Sequence, residues 1–307
     1  MSAAAAGLLT TLPVVCFGAF APIALRLARR SGIEVALASA MVVLAGGILL
    51  RLVPSTFALF AGTVVLGAAI TAANVLLPVL VKRDFPRRVG LMTGVYVMVF
   101  SGGAALAAAA TVPLTDATGW GWRPALAVWA VPAALAALMW LARAPRAAPP
   151  GPPRPVTALR WIWSDRLAWQ VTLFMGLQSF GFYASVAWLP TIFVDHGIAR
   201  TTAGVLLGVA SLISVPASLA IPVLAAQRPS QHVFVLVTVA LCGAGVLGLM
   251  LAPSAAAALW MVLLGLGQGA AIGLALTLIG LRARDDHHAA ELSGMAQTVG
   301  YLSLIHI

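Results

Sequence analysis

The apolar stretches of this chain hold a small set of neutral polar side chains. They are Thr71 and Asn74, Tyr96 and Ser101, Gln178, Ser179 and Tyr183, Gln268, and Gln297 with Tyr301. An Asn or Gln amide offers donors and acceptors together, and a Tyr hydroxyl does the same. That chemistry suits a small polar solute that must be held and later released. The competing use is hydrogen bonding between neighbouring helices, typically worth ~1 kcal/mol or less per bond. Gln178, Tyr183 and Gln268 are read as cavity-lining, solute-binding groups. Asn74 and Gln297 are further candidates, and either use fits Asn74 equally.

The charged residues lie elsewhere. The eight acids, Glu34, Asp84, Asp116, Asp165, Asp195, Asp285, Asp286 and Glu291, fall at the ends of apolar stretches or between them. The histidines, His196, His232, His287, His288 and His306, avoid the stretch centres too. An intramembrane protease or acyltransferase needs a paired nucleophile, acid or base at depth, and no such pairing is visible. The chain is therefore expected not to be an enzyme, and no catalytic residue is assigned. Arg284-Asp285-Asp286-His287-His288 resembles a metal cluster in composition only. An aspartate capping the following helix is the expected use, and no metal is predicted. No Walker-type phosphate loop is present, so no nucleotide or other cofactor is expected. Cys16 and Cys242 lack ligand spacing and are read as packed thiols. Arg51 stands near the end of an apolar stretch. It either snorkels to the interface or offers an anion contact in an outer vestibule.

What must position these residues is a set of membrane helices. Apolar residues make up 62% of the 307 and charged residues 8%, against roughly 25% charged in soluble domains. A spanning helix needs about 20 residues. The stretches 3–25, 33–53, 56–81, 88–113, 121–142, 166–191, 201–225, 231–252, 255–281 and 287 to the end qualify as ten crossing segments. Prolines 13, 22, 78, 132, 216 and 222 fall inside them, as membrane helices tolerate. Tryptophans 120, 122, 140, 161, 163 and 188 fall at segment edges, where an aromatic belt belongs.

The connections alternate in charge. Fifteen of the eighteen basic residues occupy every second gap, around Arg26–Arg30, Lys82–Arg88, Arg143–Arg166, Arg228 and Arg282–Arg284. The other gaps hold only Arg51, Arg123 and Arg200. Lys and Arg stay on the cytoplasmic side, so the basic gaps face inward. The net charge of +10 is thus spread over short loops, whereas a nucleic-acid footprint clusters on one face. Nucleic acid is excluded as a partner. The expected partners are the lipid bilayer and a small solute, and the chain is expected to be monomeric. One lysine against seventeen arginines points to a GC-rich bacterial source, hence a multi-pass protein of the bacterial inner membrane. A cysteine introduced at residue 150 should be labelled from the cytoplasmic side only. Labelling from outside alone would reverse the topology.

Residues 144–155, Ala-Pro-Arg-Ala-Ala-Pro-Pro-Gly-Pro-Pro-Arg-Pro, read as extended and solvated. The expected organisation is a helical bundle over 1–142, a cytoplasmic linker over 143–165 and a second bundle over 166–307. The halves echo each other at an offset of 200: Gly67 with Gly267, Leu66 with Leu266, Leu76 with Leu276, Lys82 with Arg282, Thr93 with Ser293, and Gly94 with Gly294. Parallel repeats of this kind relate the two halves of the major facilitator transporters. Glycines 90, 94, 102 and 103 are expected to allow close helix packing.

Local sequence points to the same family. Gly176-Leu177-Gln178-Ser179, Phe182-Tyr183 and Ala187-Trp188-Leu189-Pro190 resemble the seventh helix of its cyanate/nitroimidazole branch. Gly265-Leu266-Gly267-Gln268-Gly269, Ser293-Gly294-Met295-Ala296-Gln297 and Val299-Gly300-Tyr301 are similar to its tenth and eleventh. Leu77-Pro78, Lys82-Arg83-Asp84-Phe85 and Gly90-Leu91-Met92-Thr93-Gly94 look like its fourth-to-fifth connection. The resemblance implies an all-α membrane protein of the major facilitator fold. That fold has two six-helix bundles, of which about ten helices are represented here. It implies a secondary active transporter of a small polar or anionic organic solute working by alternating access. The branch's opening helix, with its Asn-x-Arg-Pro motif, has no counterpart. Leu302-Ser303-Leu304-Ile305-His306-Ile307 departs from the branch pattern. The sequence is therefore expected to be a piece of a longer chain, lacking the first helix and the C-terminal end. A non-functional fragment is the alternative to the transporter reading, ahead of an intramembrane enzyme.

Overall fold

The computed structural model describes residues 3–119, 121–144 and 162–302. Trp120, Trp161, His306 and residues 145–161 of the expected linker fall outside them. The described residues form helices and short connections. In chain order these are α1 (Ala3–Ser31), α2 (Ile33–Leu50), α3 (Thr56–Asp84), α4 (Val89–Thr118), α5 (Trp122–Ala127), α6 (Ala130–Arg143), α7 (Arg166–Asp195), α8 (Arg200–Ala226), α9 (His232–Leu251), α10 (Ala257–Arg282) and α11 (Asp286–Leu302).

Nine helical stretches among the described residues are long and apolar enough to cross a membrane, one fewer than the ten expected. The difference is α11, whose 17 described residues fall short of a span and carry Ser293, Gln297 and Thr298. The fifth stretch also differs in detail, since α5 and α6 are separated at Val128 and Trp129. Pro132 has no N–H to give the Val128 carbonyl. Val131 N–H takes that carbonyl at 3.0 Å instead, and the helix restarts.

Two compact units emerge, each drawing on chain from both sides of the 143–165 stretch. The first holds α1, α2, α3 as far as Leu80, α4 from Ala107, α5, α6, α7 as far as Gly176, and α11. Its core joins Ala21, Ala36, Leu37, Val75, Leu76 and Leu80, with Trp140 packed against them. Small residues set the spacing. A Cβ on Gly67 would lie 2.9 Å from the Cys16 Cβ, and one on Gly47 would lie 2.9 Å from the Leu66 nitrogen. In α11, Glu291 pairs with Arg29 of α1 at 3.6 Å. Tyr301 meets Phe17 edge-on at 5.1 Å.

The second unit holds the last turn of α3, α4 as far as Leu106, α7 from Leu177, and α8, α9 and α10. Phe193, Leu206, Leu249, Met261 and Leu264 anchor its core. One contact sets its geometry. Gly265, Gly269 and Gly273 of α10 lie against Ala210, Ser214 and Ser218 of α8, residue by residue along both helices. Each step is four residues, about one helical turn, and the missing side chains let the backbones approach. Gly90 and Gly94 of α4 meet Pro222, Ala226 and Leu219 of α8 in the same way. Gly102 and Gly103 were expected to share this role, but nothing lies within 4 Å of either position.

The connection from α8 to α9 is tied from inside. Gln231 is buried and its Nε2 donates to the Arg228 carbonyl at 2.7 Å, while its Oε1 accepts from Arg282 Nη2 of α10. The expected cap is present too: Asp285 Oδ1 accepts from His288 N–H at 2.8 Å, at the start of α11. Cys16 and Cys242 are free thiols.

Candidate functional site

Two polar constellations stand inside the helices, one in each unit. In the second unit, Gln178, Gly181 and Ser185 of α7 recur at steps of three and four and so share a face. Gln268 of α10 reaches that face. Its Nε2 donates to Ser185 Oγ at 2.9 Å and to the Gly181 carbonyl at 3.4 Å. Ser185 Oγ in turn donates to the Gly181 carbonyl at 2.7 Å. One turn earlier, Gln178 Nε2 donates to Ser179 Oγ at 2.6 Å. Gln178 and Gln268 are both partly accessible. The result is a neutral row of amides and hydroxyls, and the only charges on the helices that make it are terminal: Arg166 and Asp195 of α7 and Arg282 of α10.

Tyr183 lies about 140° around α7 from Gln178, five residues on at 100° each. It packs edge-on against Phe182, with centroids 5.3 Å apart. Gln178 and Gln268 therefore converge on one face of α7, while Tyr183 takes another. Ser185 completes the row and was missed in the sequence. The signal was there, seven residues beyond Gln178, but serines at that spacing are common in membrane helices.

In the first unit, Asn74 and Gln297 come together, but through the Asn74 backbone. Gln297 Nε2 donates to the Asn74 carbonyl at 2.7 Å, and Ser293 Oγ donates to the Val75 carbonyl at 2.9 Å. Gln297 and Ser293 are fully buried. Thr71 is also buried, and its hydroxyl bonds the Gly67 carbonyl of its own helix at 2.7 Å.

Arg51 follows α2 directly. Its stem lies along Gly62 of α3, where an added Cβ would come within 2.6 Å of Arg51 Cγ. Its Nε is buried and has no hydrogen-bond partner among the described residues. Burial pushes its guanidinium below the usual arginine value, yet an arginine remains cationic. No group of three or more His, Cys, Asp or Glu side chains that could hold a metal occurs among the described residues.

A sequence profile described as Major Facilitator Superfamily matches residues 1–305. The chain is 42% identical to the 2-nitroimidazole transporter of Escherichia coli (strain K12), over 98% of this chain and 77% of that protein. It is 29% identical to the cyanate transport protein CynX of the same organism, over 98% of this chain and 78% of that one. The proton:xylose symporter XylE superposes on it with a TM-score of 0.74 at 13% identity, covering 99% of this chain and 78% of XylE. The fucose:proton symporter FucP of E. coli superposes with 0.72 at 13% identity, covering 98% and 82%. These two likenesses concern the fold.

Proposed function

The chain belongs to the Major Facilitator Superfamily, and from that premise we propose that it is a secondary active transporter of a small polar or anionic organic solute. It works in the bacterial cytoplasmic membrane by alternating access. The observation that carries the solute class is the neutral row on α7, where Gln268 meets Ser185 and Gly181 beside Gln178. Amides and hydroxyls recognise a polar solute through hydrogen bonds that water can replace, so the solute can leave. Lysine or aspartate at the same depth would hold an ion far more tightly. Tyr183 of α7 and Asn74 of α3 stand as further contacts. Arg51 fits a first contact for an anion arriving from outside. The relatives named for 2-nitroimidazole and cyanate support a solute of this size and polarity.

In this reading the segments 1–142 and 166–307 are the moving halves, joined by the 143–165 linker, and a solute gradient or an ion gradient drives the cycle. The protein acts as a monomer, and its partners are the solute and the bilayer. Uptake into vesicles carrying the purified protein tests it. Labelled 2-nitroimidazole should enter saturably, and cyanate should compete. Uptake that rises linearly with concentration and matches empty vesicles would contradict the proposal.

A further inference from the structure

Pro78 sits inside α3, and proline has no N–H for the carbonyl four residues back. That carbonyl belongs to Asn74. In the membrane a bare carbonyl is costly, and a neighbouring helix can supply the missing donor. Here the donor is Gln297, whose Nε2 lies 2.7 Å from the Asn74 oxygen. The next carbonyl, of Val75, accepts from Ser293 Oγ at 2.9 Å. The two donors are one turn apart on α11 and are themselves linked, Gln297 Nε2 to Ser293 Oγ at 3.2 Å. Both side chains are 0% exposed. Thus the proline gap in α3 is closed by a side chain from another part of the sequence.

We infer that Gln297 and Ser293 are positioning residues for transport, which tie α11 to the proline gap of α3 in one of the two states between which the protein alternates. This rests on the alternating-access reading. In the proposed halves, α3 belongs to one and α11 to the other. When they part, the Asn74 carbonyl loses its donor and cannot recover one within α3, because Pro78 has none to give. The bond is thus present in one state and irreplaceable from within α3 in the other, so it biases the ratio of the two. A side-chain bond between membrane helices corresponds to a shift of about 3- to 15-fold in that ratio. An ordinary residue at 78 would weaken the bias, since its own N–H would serve the carbonyl in both states. The Arg29–Glu291 pair adds a second tie between α1 and α11, but at 3.6 Å with Arg29 reaching solvent it is worth little.

The test is a double-mutant cycle on the full protein in lipid nanodiscs, with Gln297→Leu, Pro78→Ala and both together. Spin labels at Lys82→Cys and His287→Cys, with Cys16 and Cys242 changed to Ser, report the separation of α3 from α11. Gln297→Leu alone should lower the melting temperature and move the distance distribution about 3- to 15-fold toward the separated population. Adding Pro78→Ala should restore most of the melting temperature, because Asn74 regains a donor in its own helix. The distances should not return to the closed population, because the tie is gone. If the two substitutions act additively on the melting temperature, Gln297 does not serve the carbonyl that Pro78 frees, and the inference falls. A Gln297→Leu protein with an unshifted distance distribution would reduce the contact to static packing and would also overturn it. If the unsubstituted protein shows a single distance with and without solute, the alternating-access reading fails instead, whatever the Pro78–Gln297 coupling.

Discussion

Replacing Gly269 by leucine should lower the melting temperature of the purified protein by about 6–12 °C, if the protein accumulates at all. An added Cβ there meets the Ser214 carbonyl oxygen well inside contact distance, with the Ser214 Cα and C at 2.7 and 2.8 Å. All three are backbone atoms of α8, so no side chain can swing aside. The helices must separate, and the same displacement would be felt at Gly265 against Ala210 and at Gly273 against Ser218. Overpacking typically costs about 1–3 kcal/mol, and a leucine driven against three backbone atoms belongs at the upper end, ~3 kcal/mol. Gly102→Ala is the control: nothing lies within 4 Å of that position, and alanine favours a helix by about 1 kcal/mol over glycine. It should leave the melting temperature unchanged or raise it slightly. Differential scanning fluorimetry in detergent reads both. A Gly269→Leu protein that melts with the unsubstituted one would show that α8 and α10 do not pack through this stripe.

The second large effect is functional. Gln268→Leu should raise the KM for transport about 10-fold, the equivalent of one lost hydrogen bond of ~1.4 kcal/mol to the solute. Vmax and the amount of protein in the membrane should change little, because an interhelical bond contributes only ~0.6 kcal/mol to stability on average. The two uses of Gln268 thus predict different signatures. If it only ties α10 to Ser185 and Gly181 of α7, KM stays constant and the small stability loss is all that is seen. Initial uptake rates across a range of solute concentrations, normalised to reconstituted protein, separate the cases. An unchanged KM would remove Gln268 from the solute site.

Helix positions were legible because a membrane imposes a simple requirement. Twenty apolar residues with cations at alternate ends leave few other readings, and nine described helices answer it. The Asp285 cap was legible for a local reason, since a cap bonds three residues along its own chain. Contacts between helices were harder. Gly90 and Gly102 look alike in sequence, but one lies against Pro222 and Ala226 and the other has open space beside it. The difference depends on where α8 passes, and no local pattern in α4 records that. Gln297 shows the same limit. Its amide at depth marked it as special, but its partner is the backbone oxygen of Asn74, and a carbonyl has no sequence signature. The proline at 78 was the available clue, because it names the carbonyl that needs a donor. Gln178 and Gln268 could be paired through their helices' resemblance to the family. That Gln268 meets Gly181 and Ser185 on the face Gln178 shares required the rotation of α7 and α10 about their axes.

Solute counterflow in proteoliposomes tests the central claim most directly. Vesicles preloaded with unlabelled 2-nitroimidazole are diluted into a trace of the labelled compound with no ion gradient imposed. A carrier that exposes one site to each side in turn should accumulate label transiently above its equilibrium level, and unlabelled cyanate in place of the internal solute should support the same overshoot. Label that merely equilibrates at the rate of protein-free vesicles, with no overshoot for either solute, would contradict transport by alternating access.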